Sequence, residues 1–161
     1  MPTGPLRDTS LESTLARLKA ADLPKLVFTK NVEERPGAVE HWMQQVGLDL
    51  GGCHHIIDAY WHMIVAVMDE AYKVYIDLSP LDRPSIRPMQ PADFAQSPEL
   101  LARYGAEYLM AQQLNYRSCE LRLRSVLLEL VPKCVKTACL STRQTSTIDI
   151  LFGVMIEGGP G

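Results

Sequence analysis

Two histidines and two aspartates recur at intervals that suit a metal site on a helix. His54, Asp58 and His62 are spaced four residues apart, and Asp69 continues the same helical face. Imidazole nitrogens and a carboxylate together form a donor set that binds transition metals. Helical metal sites usually gather ligands from several helices and point them inward, whereas this stripe faces away from the apolar side of its segment. We therefore predict a solvated polar face, with neither a metal nor a cofactor.

Motifs for nucleophilic or phosphate chemistry are absent from the sequence. It contains no GxSxG or HExxH string, and Gly51-Gly52 is not followed by the lysine and hydroxyl residue of a phosphate-binding loop. The cysteines are Cys53, Cys119, Cys134 and Cys139. They form no CxxC pair, so we expect reduced thiols. The sequence thus predicts a protein that is not an enzyme and has no catalytic residues.

The composition is that of one ordinary globular domain. The chain has 161 residues, of which 47% are hydrophobic and 22% charged, and its formal net charge is −3. These values exclude a wholly disordered chain, a collagen and a disulfide-dense toxin. No window of about 20 residues is free of charge, so no membrane span is predicted. Without an apolar secretion signal at its start, the protein is expected in the cytoplasm or the nucleus.

Apolar periodicity predicts an all-α fold, a bundle of about six to seven helices. The central helix runs from Cys53 to about Leu78, and its apolar arc of roughly 200° indicates several neighbours. Further helices are predicted over Leu11–Ala21, from Pro36 to Gly51-Gly52, over Lys133–Leu140 and over Thr147–Glu157. Thr9 with Glu12, and Ser146 with Asp149, fit helix N-caps. The predicted core residues are Trp42, Trp61, Tyr72, Leu127, Leu130 and Phe152.

A Pro-rich loop divides the predicted helices. Five of the 20 residues in 79–98 are proline, so the chain forms either one domain over 9–157 or two helical lobes joined by this loop. The pattern is helical again over Glu99–Val131, as one bent helix or as two with a break near Asn115. Residues 1–8 are expected to be disordered and 158–161 to be flexible.

Charge is unevenly placed along the chain. Residues 31–82 hold nine acidic and two basic residues, whereas residues 117–143 hold six basic and two acidic ones. Solvated faces produce this pattern, and so do opposite patches that join copies of a protein head to tail. The basic stretch is also a candidate for RNA contact, although no aromatic stacking platform accompanies it.

The helix that ends near Val131 is apolar on two sides. Leu121 and Leu128 lie opposite its main apolar stripe, beside Arg117 and Arg124. Such a helix is either enclosed within its domain or exposes a surface for a partner. These four residues are therefore the candidate interaction surface.

An ordered series of short strings is spread over residues 23–161, with residues 79–114 the least matched. The strings are LPKL (23–26), ERP (34–36), HWM (41–43), VGLDLGG (46–52), AYW (59–61), LSPLDR (78–83), ELRL (120–123), LLELVP (127–132), TIDILF (147–152) and GPG (159–161). Their order resembles the Gag-like, capsid-type segment of copia-like long-terminal-repeat retrotransposon polyproteins. The resemblance implies a non-enzymatic, helical structural protein that self-associates around element RNA.

Some features of that family have no counterpart in this sequence. The zinc knuckle, the protease Asp-Ser/Thr-Gly, the reverse transcriptase motifs and the retroviral major homology pattern are absent, so we expect a capsid-like piece alone. Two alternatives stay open. One is a monomeric helical adaptor that binds a partner through Leu121 and Leu128. The other is a metal-dependent enzyme that uses His54, Asp58 and His62.

Overall fold

Helices account for the regular structure of this chain throughout residues 8–161, the range that a computed structural model describes. In that range they are α1 (Thr9–Arg17), α2 (Arg35–Gly51), α3 (His55–Asp77), α4 (Pro98–Tyr104), α5 (Ala106–Ala111), α6 (Gln113–Leu130), α7 (Lys133–Thr142) and α8 (Thr147–Gly158). Seven of them have seven residues or more. The prediction of an all-α, multi-helix bundle is confirmed. Within the described range, none of the helices has the length and apolar character needed to cross a membrane.

Helices α3 and α8 share the centre of the bundle. Helix α3 packs against α2, α6 and α8, while α8 contacts α2, α3, α6 and α7. Each residue of α8 from Thr147 to Phe152 is buried, and six consecutive residues face every side of a helix. A helix that is apolar all round is one that its neighbours enclose. The six predicted core residues are all buried, which confirms them.

The Pro-rich segment 79–98 packs onto the bundle. It forms short 3₁₀ turns at Arg83–Ser85 and Pro91–Gln96, and Phe94 in the second turn is buried. The buried apolar side chains, Phe94 included, form one continuous cluster. This continuity favours the one-domain alternative over two lobes.

The region predicted as one or two helices over Glu99–Val131 contains three. Helices α4, α5 and α6 are separated at Gly105 and Gln112. Gly105 has a φ of 84°, a conformation that glycine adopts without the strain that a side chain would cause. Asn115 does not break the helix: it lies buried in α6, where its Oδ1 accepts the backbone N–H of Asp8 at 3.0 Å.

Both ends of the described chain contact the bundle. Residues 1–7 lie outside the described range, but Asp8, placed in the predicted disordered segment, is the N-cap of α1 instead of Thr9, and its Oδ1 accepts the N–H of Leu11 at 3.0 Å. At the other end, the Tyr72 hydroxyl donates to the carbonyl of Pro160 at 2.6 Å. A Cβ on Gly158 would lie only 2.6 Å from the ring of Phe28. The predicted flexible tail is therefore in contact with the bundle.

Candidate interaction surface

One side of helix α6 is buried in the core, and the opposite side is exposed to solvent at some positions. Cys119, Leu123 and Leu127 are buried in the core. On the outer side, Arg117 is exposed, and Leu121 is 53% exposed. The helix is thus open to solvent at Leu121, and a partner surface is available there.

The other half of the predicted surface is less exposed. Arg124 is half-buried, and Leu128 is partly buried against the core. Leu114, seven residues before Leu121, is also exposed. Leucines seven residues apart follow one side of a helix, so Leu114 extends the predicted surface towards the N-terminus of α6.

Leu121 and Leu128 line two different hollows. Leu121 borders a hollow of about 380 Å³ between α6 and α1, which Leu15 and Ala16 also line. Leu128 borders a larger one of about 980 Å³. The guanidinium of Arg122, on the same helix, donates to the carbonyl of Leu18 and ties α6 to the end of α1.

The larger hollow combines an apolar floor with a rim of lysines. Its lining includes Leu23, Leu128 and Val131, together with Lys19, Lys25, Lys133 and Lys136 and one acidic residue, Glu129. We call it the basic hollow. The four lysines are exposed, and none forms an ion pair within the described residues. A rim of cations around an apolar floor fits an acidic partner that carries an apolar side chain.

Sequence reasoning found only part of the basic hollow. Lys133 and Lys136 belong to the predicted basic stretch 117–143, but Lys19 and Lys25 come from the segment around the short turn at Ala20–Asp22. Only packing of that segment beside α6 and α7 brings the lysines to one rim. Their individual positions in the sequence carry no signal of this grouping.

Helix α7 begins at the basic hollow with charges of unfavourable sign. Its N-cap, Pro132, makes no side-chain capping bond, and its first turn contains no acidic residue. Lys133 and Lys136 lie there instead. The N-terminus of a helix carries partial positive charge and favours anions. These two lysines therefore repel the end of their own helix.

The stripe of His54, Asp58 and His62, which the sequence predicts to be a solvated polar face, is divided in the structure. His54 is the N-cap of α3: its Nδ1 accepts the N–H of Ile56 at 3.1 Å, and its Nε2 lies 3.0 Å from the hydroxyl of Ser10. His62 donates from Nδ1 to the carbonyl of Asp58 at 2.8 Å. His54 thus faces α1 instead of the predicted solvated face. Over residues 8–161, no three His, Cys, Asp or Glu side chains are arranged to hold a metal ion.

All four cysteines are free thiols, and they differ in burial. Cys53 and Cys134 are exposed, whereas Cys119 and Cys139 are buried. Burial raises the pKa of Cys119 to about 12 and that of Cys139 to about 11. Because the thiolate is the reactive form, the two buried thiols are chemically inert near neutral pH.

Comparison with known proteins adds no relative from which a function could be transferred. No protein-family model, no curated protein and no solved structure matches this chain. Its function is therefore inferred from its own residues and surfaces.

Proposed function

We propose that this chain is a non-enzymatic, Gag/capsid-like structural protein of retrotransposon origin that self-associates. The observation that supports it most is that one molecule carries the open basic hollow and a strongly acidic segment over residues 31–82. The cytoplasm is the proposed location, with the nucleus as the alternative. The ordered strings between residues 23 and 161 supply the link to retrotransposons.

Opposite charges on separate surfaces favour contacts between copies. The acidic surface of one copy attracts the basic surface of the next, and the attraction also guides their encounter. A contact between two different surfaces repeats until it closes a ring or continues as an open array. This is the behaviour that a capsid-like protein requires.

Element RNA is the second proposed partner. The exposed basic residues Arg117, Lys133, Lys136 and Arg143, together with Lys19 and Lys25 at the basic hollow, would neutralise backbone phosphates, and such binding weakens steeply as salt rises. We propose contact with the backbone without reading of sequence, since no aromatic platform accompanies the basic stretch.

Sedimentation velocity over a concentration series, together with electron microscopy, tests self-association. We expect the mean sedimentation coefficient to rise with protein concentration at low salt and to fall again at high salt, where charges are screened. A strict monomer at the highest concentration in both salts would refute the proposal.

A monomeric adaptor is the second candidate, because Leu114 and Leu121 leave an apolar stripe open on α6. It predicts a monomer at high concentration and a defined partner that the Leu121→Glu/Leu128→Glu variant no longer captures. Leu48→Glu is the matched control, since Leu48 is also exposed but lies on α2. If wild type, the Leu121→Glu/Leu128→Glu variant and the Leu48→Glu variant all captured a partner equally, the α6 surface would be excluded as its binding site.

A further inference from the structure

The turn after α3 presents an apolar side chain between acidic ones. Leu81 is 93% exposed, although leucine is among the residues most often buried. Asp77, in the last turn of α3, and Asp82 are also exposed. We call residues 77–82 the acidic tip.

Internal hydrogen bonds fix the shape of the acidic tip. The Ser79 hydroxyl donates to Asp82 Oδ2 at 2.9 Å, and the N–H of Asp82 donates to the Ser79 carbonyl at 2.9 Å. Arg83 Nε donates to the carbonyl of Leu78 at 3.1 Å. Because the turn is already held, presenting Leu81 to a partner costs little additional ordering.

The basic hollow places charge of unfavourable sign at a helix end. Lys133 and Lys136 lie at the N-terminus of α7, the end that favours anions. At the C-terminus of α3, where Asp77 lies, Arg83 already supplies the favoured cation by donating to the carbonyls of Ile76 and Leu78, each at 3.1 Å. Within the described residues, neither Asp77 nor the two lysines form an ion pair. A contact between the two surfaces would bring the carboxylates of the acidic tip to these lysines and offset the unfavourable charge at the start of α7.

We propose that the acidic tip of one copy of this chain docks in the basic hollow of a second copy. Leu81 would rest on the apolar floor beside Leu128, with Asp77 and Asp82 among the lysines of the rim. This inference rests on the proposed function and assigns the two surfaces through which copies associate. Because tip and hollow are different surfaces, the contact is heterologous and repeats from copy to copy.

Charge and shape identify a second copy as the occupant. The basic hollow requires an acidic partner with an apolar side chain at its centre, and the acidic tip of the same chain provides both. One leucine and a few ion pairs form a small contact, so the association is weak. The association is also sensitive to salt, because at 1 M ionic strength exposed charges more than about 3 Å apart are largely screened from each other.

Paired charge reversal tests the contact. Asp77→Lys cancels the charge of the two aspartates of the tip, and Lys133→Glu/Lys136→Glu cancels the charge of the four lysines of the hollow. Asp82 is left unchanged because it holds the turn. In sedimentation velocity at low salt, each variant alone is expected to associate at least about tenfold more weakly than wild type, since the attraction between tip and hollow is lost. An equimolar mixture restores part of the association, because the unchanged tip of the hollow variant meets the unchanged hollow of the Asp77→Lys variant.

Matched variants separate this contact from general charge effects and from misfolding. Asp93→Lys makes the same charge change at an exposed site outside the tip and should associate within about threefold of wild type. Leu81→Ser keeps the charge and should weaken association by about tenfold. Circular dichroism checks that each variant is folded.

The outcomes distinguish the contact from the proposed function. If wild type associates but Asp77→Lys behaves like Asp93→Lys, or the mixture stays dissociated, the tip-to-hollow contact is overturned while self-association stands. If wild type remains monomeric throughout the series, both fail. Restoration by mixing, together with loss in Leu81→Ser, supports the contact.

Discussion

The N-termini of α7 and α8 belong to consecutive helices and are built in opposite ways. Helix α8 begins with a capping box: the N–H of Asp149 donates to Ser146 Oγ at 3.1 Å, and the N–H of Ser146 donates back to Asp149 Oδ2 at 3.4 Å. Helix α7 begins after Pro132 with no side-chain cap and with Lys133 and Lys136 in its first turn. At the start of α8, which we call the α8 end, side chains satisfy the backbone N–H groups. The start of α7, the α7 end, has no side-chain cap and carries positive charge, which a helix N-terminus disfavours.

The α8 end also connects distant parts of the chain. Arg87 of the Pro-rich segment binds Asp149 through two nitrogens, at 3.2 and 2.8 Å. Glu120 of α6 accepts the N–H of Thr147 at 2.8 Å and the hydroxyl of Tyr60 at 2.9 Å. Carboxylates thus satisfy the N–H groups that a helix start leaves without partners. This end stabilises the fold, whereas the α7 end is free to contact a partner.

Asp149→Ala is expected to cause the largest loss of stability at the α8 end. The side chain of Asp149 is 2% exposed, and its removal breaks the capping box and takes away the acceptor of Arg87. Gln90 loses one acceptor but keeps the carbonyl of Pro88. We expect the free energy of unfolding to fall by about 2–4 kcal/mol, measured by urea denaturation. Arg87, whose side chain is 47% exposed, can turn to water, which keeps the loss below that of a fully buried pair.

The matched control for Asp149→Ala is Asp93→Ala. Asp93 lies in the first turn of the 3₁₀ helix Pro91–Gln96 but is exposed, so its removal should change stability by less than about 0.5 kcal/mol. Equal effects of the two substitutions would mean that the α8 end does not anchor the fold.

Glu120→Gln is expected to cause a smaller loss. Three groups donate to this carboxylate, namely the Thr147 N–H, the Thr147 hydroxyl and the Tyr60 hydroxyl. A glutamine amide keeps only one accepting oxygen, so we expect a loss of about 1–2 kcal/mol in urea denaturation. Glu129→Gln, on an exposed site of the same helix, should be nearly neutral. If Glu120→Gln left the free energy of unfolding unchanged, the fold would not require the charge of Glu120.

The sequence predicts the α8 end well because its signal is local. Ser146 and Asp149 are three residues apart, which is the spacing of a capping box, and the predicted helix Thr147–Glu157 differs from the observed one by one residue. The long apolar stripe of α3 is likewise predicted to within two residues at each end. Features of this kind depend on neighbours along the chain, and these are visible before folding.

The basic hollow could be predicted only in part because its signal is not local. Leu128 and the charge of 117–143 point to α6 and α7, but Lys19 and Lys25 reach the same rim only through tertiary packing. Gly105 illustrates a second limit. A single residue with positive φ divides α4 from α5, although the apolar spacing continues across it, because periodicity does not report backbone conformation.

The smallest expected change in the free energy of unfolding is at the α7 end, and it is a gain instead of a loss. Lys133→Glu/Lys136→Glu places anions where the helix dipole favours them, so we expect the monomer to gain about 0.5–1.5 kcal/mol in urea denaturation at low salt, with less gain at high salt. The measurement is made at a concentration where sedimentation shows only monomer. The glutamine pair, Lys133→Gln/Lys136→Gln, should give about half the gain.

A loss of stability in the glutamate variant would contradict the contrast between the two helix ends, because it would mean that the lysines stabilise the isolated chain. A gain, found in the same variant that no longer associates, would show that these lysines weaken the monomer. Such a result would support a role for these lysines in binding a negatively charged surface on a partner.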